Sequence, residues 1–139
     1  MSIKRIQVAA VVLRDAEGKV LTVRKRGTSR FMLPGGKPEP GEQPRQTALR
    51  EVQEEIGLEI LPDALVALGR FTAPAANEPD HQVISDAFVA EDLDQSLLLD
   101  ELRPAAEIEE IRWPTLDDLL TGTDVAPLLS EQIIPALTR

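Results

Sequence analysis

Three glutamates, Glu51, Glu54 and Glu55, stand close together in the run Arg50-Glu51-Val52-Gln53-Glu54-Glu55-Ile56-Gly57-Leu58. On a helix turning 100° per residue, with Glu51 at 0°, Glu54 falls at about −60° and Glu55 at about +40°. The three carboxylates then share an arc of about 100°. Val52 and Ile56 lie beside that arc, where they would face a core. Like charges one turn apart destabilise a helix by roughly 0.2–0.5 kcal/mol per pair, so such an arc wants a cation. The chain has no cysteine and one histidine, His81. Available ligands are therefore oxygens, which suit a hard cation, Mg²⁺ or Mn²⁺, better than zinc. Mg²⁺ held by a few carboxylates fills its shell with water and substrate phosphates. These residues point to metal-assisted phosphoryl or pyrophosphoryl chemistry. A merely acidic surface helix is the ordinary alternative, but such a helix has no use for the lead-in found here.

That lead-in is Pro34-Gly35-Gly36-Lys37-Pro38-Glu39-Pro40-Gly41, with three prolines and three glycines. It reads as a committed loop in which no regular element survives. Pro44 suits a first helical turn, and Ala48, Leu49, Val52 and Ile56 are spaced for one apolar stripe. Gly57 is a natural helix stop. The glutamates are thus expected on a helix over 44–56, presented by a rigid loop.

The flanking elements read as strands. Val8–Leu13 is a nearly continuous apolar run within Lys4–Arg14, as in a buried strand. A turn at 15–18 leads to a second strand over Val20–Arg26, forming a hairpin with the first. Phe31–Leu33 is a short strand. Leu58–Leu61, Ala64–Thr72, Gln82–Ala90 and Glu107–Trp113 read as further strands. Residues 73–81 and 91–106 are connections. Leu116–Leu120 is a short helix, and Val125–Leu137 a helix distorted at Pro135. Strands, helix, strands, helix in that order predict an α+β fold, a sandwich around a mixed sheet.

Size and charge narrow the class. With 139 residues the chain suits a single domain over 1–139. Its net charge of −9 argues against a general nucleic-acid binder. The charge is uneven. Residues 1–50 hold eleven Lys/Arg and four Asp/Glu, while residues 51–139 hold four and twenty. The basic half could supply phosphate contacts from Arg24, Lys25, Arg26, Arg30 and Lys37. Solvated surface is the plain alternative for at least half of them. No apolar run approaches the ~20 residues of a membrane helix, so no membrane partner is expected. The first residues lack a signal-peptide pattern, and a cytoplasmic address fits. Phe31, Phe71, Phe88 and Trp113 are the only aromatics. Any base-stacking platform must come from them or from an arginine.

Gly36, Glu42, Arg50, Glu51, Glu54, Glu55 and Gly57, with apolar Val52 and Leu58, resemble the Nudix box at every fixed position. The box covers 23 of the 139 residues. A Leu-Pro-Gly-Gly run before it and a Trp-Pro strand end after it are similar to the family's layout. The resemblance implies a Nudix fold, an α/β/α sandwich around a mixed β-sheet. It also implies Mg²⁺-dependent cleavage of a phosphoanhydride in nucleoside diphosphate-X substrates, with Mn²⁺ as a second metal. By the same resemblance Glu51, Glu54 and Glu55 would be metal ligands, with the Gly36 carbonyl as a further one. Arg50 would orient the box glutamates, and Glu42 would sit near the helix start. The base activating the water varies in the family. It is a box glutamate in some members and a later glutamate before a tryptophan in others. Glu107 is the favoured choice here, with Glu109 and Glu110 competing.

The resemblance further implies a small nucleotide as partner and, as in many members, a homodimer. Pro74, sixteen residues past the box, resembles a feature of ADP-ribose pyrophosphatases, and the absence of tyrosine removes one of dinucleoside polyphosphate hydrolases. Nucleoside triphosphates, oxidised ones included, and ADP-ribose-like nucleotide sugars stay open as substrates. The contrasting reading is a non-catalytic Nudix-fold module that binds or senses a nucleotide. Such modules usually have damaged boxes, and this box is intact.

Overall fold

A computed structural model describes residues 3–75, 78–91 and 102–137. The strands are β1 (Lys4–Val12), β2 (Thr22–Lys25), β3 (Gly35–Gly36), β4 (Leu65–Pro74), β5 (His81–Ala90) and β6 (Ile108–Arg112). The helices are α1 (Pro44–Ile56), α2 (Leu116–Thr121) and α3 (Ile134–Leu137). One sheet runs β3-β1-β5-β4, and a second pairs β2 with β6. β1 and β5 are parallel, from Lys4 opposite His81 to Val12 opposite Val89. The other pairings are antiparallel. The mixed sheet and α+β class match the expectation.

β1 shows why its sequence is apolar on both sides of the pleat. Ala9, Val11 and Leu13 point into a core shared with Ala48, Val52 and Ile56 of α1. Ala10 and Val12 point into a second core with Leu119, Leu129, Ile133 and Ile134. A strand covered by helices on both faces has no polar side to keep. The result is an α/β/α sandwich.

Four local expectations are corrected. The hairpin of the first two strands is reduced to a bridge between Arg14 and Val20, flanked by bonds from Leu21 N–H to the Leu13 carbonyl, 2.9 Å, and from Asp15 N–H to the Lys19 carbonyl, 3.0 Å. Both edges of β1 are taken, by β5 and β3, so β2 leaves and pairs with β6. Leu58–Leu61 forms no strand. Leu58 and Ile60 are buried in the α1-side core, an alternation that comes from an extended segment lacking a ladder partner. Phe31 and Met32 make only isolated bridges. The Gly/Pro loop does contain a regular element, because Gly35 and Gly36 pair with Ala10 and Ala9.

The C-terminal helix is distorted as expected, but before the proline. Leu128–Ile133 is a π-helical turn, with Ile134 N–H donating to the Leu129 carbonyl. The first connection is shorter than expected, since β4 reaches Pro74 and β5 begins at His81. Residues 92–101 of the second connection lie outside the described residues.

Candidate active site

Helix α1 begins with Pro44 at its first turn. The Gln43 N–H donates to Gln46 Oε1 at 2.8 Å, satisfying a donor the helix cannot use. The helix ends at Gly57, whose φ of 74° is left-handed, with its N–H donating to the Gln53 carbonyl. Between these stops the glutamates are fixed.

They are not equivalent. Glu55 is 1% exposed. The Gly35 N–H donates to its Oε1 at 2.9 Å, while its Oε2 is buried with no partner. Burial pushes the Glu55 carboxyl up to about 8, against the pull of the Gly35 N–H; the charges of Glu51 and Glu107 push further up, and that of Lys25 opposes them. Glu51 lies against the diglycine. A Cβ on Gly36 would fall 2.5 Å from its carboxyl carbon, so only glycine leaves room for that carboxylate. Glu54 is 51% exposed and turns toward Arg50.

Arg50 joins the loop to the helix. Its Nε and Nη2 donate to the two oxygens of Glu42, at 2.8 and 2.9 Å. Nη1 donates to Glu51 at 2.9 Å and Glu54 at 3.3 Å. Nη2 also reaches the Lys37 carbonyl, 3.0 Å. This fork is work for a guanidinium rather than an ammonium. Arg50 holds the Glu42 carboxyl down at about 2, helped by the Glu39 N–H and the Thr47 hydroxyl. Glu42 in turn raises Arg50 further above its ordinary range. Thr47 was not singled out by the sequence. Its buried position on the first turn of α1 is the signal that only the fold supplies.

β2 and the segment leading into β6 sort three later glutamates. Arg24 pairs with Glu110 at 3.3 Å, Arg26 with Glu109 at 3.4 Å and Lys25 with Glu107 at 3.5 Å. A register shift between Arg24 and Lys25 separates these pairs. Glu107 precedes β6 and follows Ala106, which holds a left-handed φ of 53°. The Ala105 N–H donates to the Glu55 carbonyl at 2.9 Å, tying this turn to the end of α1. Of the three glutamates, Glu107 alone lines the main cleft, with Glu51, Gly35, Gly36, Lys25 and Lys37.

That cleft measures about 550 Å³, and another part of it is aliphatic, lined by Ile6, Val8, Val83, Leu128, Leu129 and Ile133. No aromatic ring lines it among the described residues. Phe31 and Phe88 are buried, and Phe71 and Trp113 pack against the two cores. His81, the first residue of β5, has its Nδ1 2.7 Å from the Pro79 carbonyl oxygen and does not line the cleft.

The structure thus brings Gly36, Glu51 and Glu107 to one cleft. Glu55 is buried behind it on the Gly35 N–H, Glu54 is half-exposed beside Arg50, and neither of these two lines the cleft. Among the described residues no three acidic or histidine side chains are gathered as a ready-made metal cluster. The site nevertheless fits a hard divalent cation. Its donors are all oxygens, and the buried, unpartnered Glu55 Oε2 needs a positive partner to be ionised.

A diglycine loop that seats one glutamate and caps another, inside an α/β/α sandwich, defines a Nudix-type domain. The chain belongs to the NUDIX domain family, whose family model matches residues 4–136. The fold is that of the MutT protein from Methanosarcina mazei Go1, with a TM-score of 0.78 at 19% identity, covering 100% of this chain and 99% of that one. Among curated relatives, an ADP-ribose pyrophosphatase from Bacillus subtilis is 33% identical over 124 residues, 85% of this chain and 63% of that protein. An 8-oxo-dGTP diphosphatase from Haemophilus influenzae is 40% identical over 78 residues, 53% of this chain and 57% of that protein. The matches span less than two thirds of these relatives' own length. Among the described residues no helix is long and apolar enough to cross a membrane.

Proposed function

We propose that this chain is a divalent-metal-dependent pyrophosphohydrolase that cleaves a phosphoanhydride bond in nucleoside diphosphate-X substrates. The observation that carries the reading is the Glu55 carboxylate, held by one N–H and otherwise bare inside the protein, beside Glu51 and the diglycine. A purely structural carboxylate in that place would be fully partnered.

Glu51, Glu54 and Glu55, with the Gly36 carbonyl, would hold Mg²⁺ or Mn²⁺. When bound, the metal neutralises charge that builds on the phosphates. Lys25 and Lys37 line the same cleft and bind phosphate oxygens as point charges. Glu107 accepts the proton of the attacking water. The water oxygen bonds to phosphorus as the bridging P–O bond breaks, and the departing phosphate carries its electron pair away. Arg50 orients Glu51 and Glu54 throughout. The aliphatic part of the cleft receives the nucleoside. The names of the relatives support nucleoside triphosphates, including oxidised ones, and ADP-ribose-like sugars as the substrate classes to test first.

The test is release of nucleoside monophosphate or phosphate from a panel of dNTPs, 8-oxo-dGTP, ADP-ribose and other nucleotide sugars. Each is assayed with Mg²⁺, with Mn²⁺ and with chelator. Turnover that chelator abolishes supports the reading and names the class. A folded protein that binds nucleotides yet turns over none of them would instead be a non-catalytic binding module.

A further inference from the structure

The aliphatic part of the cleft owes its shape to an irregular helix. Leu128, Leu129 and Ile133 all line it. In an α-helix Leu128 and Ile133 would stand about 140° apart and could not share a face. They do share one here, because Leu128–Ile133 is a π turn, with Ile134 N–H bonded to the Leu129 carbonyl five residues back. A turn of that kind is rare and recurs at functional sites. Two residues past that carbonyl's turn stands Pro135. In α geometry its ring would strike the carbonyl of Glu131, and it has no N–H to bond that carbonyl. Widening the preceding turn moves the carbonyl aside. The wider turn also lets Ile133 and Ile134 both be buried, at 1% and 0% exposure.

We propose that Pro135 is a positioning residue, which enforces the π turn and so brings Leu128 onto the cleft face with Leu129 and Ile133, where they form the wall against which the substrate's base packs. This inference rests on the nucleotide-hydrolase reading above. The occupant follows from continuity. The charged part of the same cleft takes phosphates, so the part lined by Val8, Val83 and the π turn takes the moiety attached to them. A planar heterocycle suits an aliphatic slot without aromatic or charged walls on the helix side. Selectivity among bases would then come from the shape of this wall.

The test uses the full chain and its variants Pro135→Ala and Leu128→Ala. Binding of purine and pyrimidine nucleoside monophosphates is measured by calorimetry, and KM and kcat by turnover of the matching triphosphates. NMR scalar couplings across the N–H···O=C bonds report the hydrogen-bond register of 128–137. For Pro135→Ala the expected result is an α-helical register, affinity for the preferred base weakened on the order of tenfold, and kcat little changed. Leu128→Ala should weaken the same base to a similar degree, and it decides the matter if Pro135→Ala fails to fold. The inference is overturned if Pro135→Ala keeps the π register, or if the register reverts while affinity and base preference stay as they were. Unchanged base preference in Leu128→Ala overturns it as well. A wild-type chain that binds no nucleotide overturns the parent reading and this inference with it, an outcome distinct from binding that the variants leave intact.

Discussion

The Gly35 N–H donates to Glu55 Oε1 at 2.9 Å, and the other oxygen of that carboxylate is buried without a partner. One hydrogen bond does not offset the desolvation of a charge, so Glu55 holds its proton to about pH 8 in the metal-free protein. The folded-state value lies above the ordinary 4.5. This group's contribution to stability is therefore complete below about 4.5 and is lost as pH rises through about 8. Urea unfolding in chelator should show stability falling over that window, and Glu55→Gln should flatten the dependence. Metal binding below pH 8 should release a proton, seen as a buffer-dependent heat in calorimetry. Glu55→Gln should also abolish metal-dependent turnover while the fold survives.

Glu42 behaves with the opposite sign. Arg50 holds its carboxyl at about 2, below the ordinary 4.5. Its contribution is present above about 4.5 and is lost as pH falls toward about 2. Glu42→Gln should remove that limb from an acid-unfolding curve. Arg50→Lys should keep the charge and lose the fork. Activity is expected to fall roughly 10- to 100-fold, the usual effect of losing a partner that orients a metal ligand. A variant with wild-type kcat and metal affinity would show that Arg50 only braces the loop.

The two glycines of the diglycine should fail differently. A Cβ at Gly36 meets the Glu51 carboxylate at 2.5 Å, the end of a flexible side chain. Gly36→Ala should fold, with Glu51 displaced and turnover down by on the order of a hundredfold. A Cβ at Gly35 meets the Ala9 carbonyl of β1 at 2.1 Å, which is sheet backbone and cannot step aside. Gly35→Ala should lose about 3 kcal/mol or more of stability. Thermal melts beside activity assays separate the two.

Glu107, Glu109 and Glu110 provide an internal comparison. Each pairs with a cation of β2 or, for Glu109, with Arg26 just after it, but only Glu107 lines the cleft. Glu107→Gln should lower kcat by about 10²- to 10⁴-fold, the range of a lost general base. Glu109→Gln and Glu110→Gln should stay within a few-fold of wild type. Equal effects from all three would return the role of base to a glutamate of α1.

The outlines of α1 were legible because they depend on neighbours in sequence. Pro44, the Ala48-Leu49-Val52-Ile56 stripe and Gly57 act within one or two turns, and the helix runs from Pro44 to Ile56 as read. Glu51, Glu54 and Glu55 could be singled out for the same reason, while Glu42 and Arg50 entered through the resemblance to the Nudix box. The strands at 58–61 and 31–33 were misread because alternation reports burial, and a strand also needs a neighbour to bond. The β1–β2 hairpin does not extend because proximity in sequence does not guarantee pairing, and both edges of β1 are filled by partners more distant along the chain.

By itself, then, the sequence determined a glutamate-bearing helix, the glycine loop before it and the oxygen-only donor chemistry, since local spacing and composition suffice for these. The tertiary structure decided which glutamate is buried, which of three later carboxylates reaches the cleft, and what lines its apolar part. Those outcomes depend on β1 pairing with β5 and Gly35–Gly36, on β2 pairing with β6, and on a proline widening the last helix. The strand pairings are contacts between segments far apart in the chain, and the face that the widened turn presents has a role only once those segments pack against it.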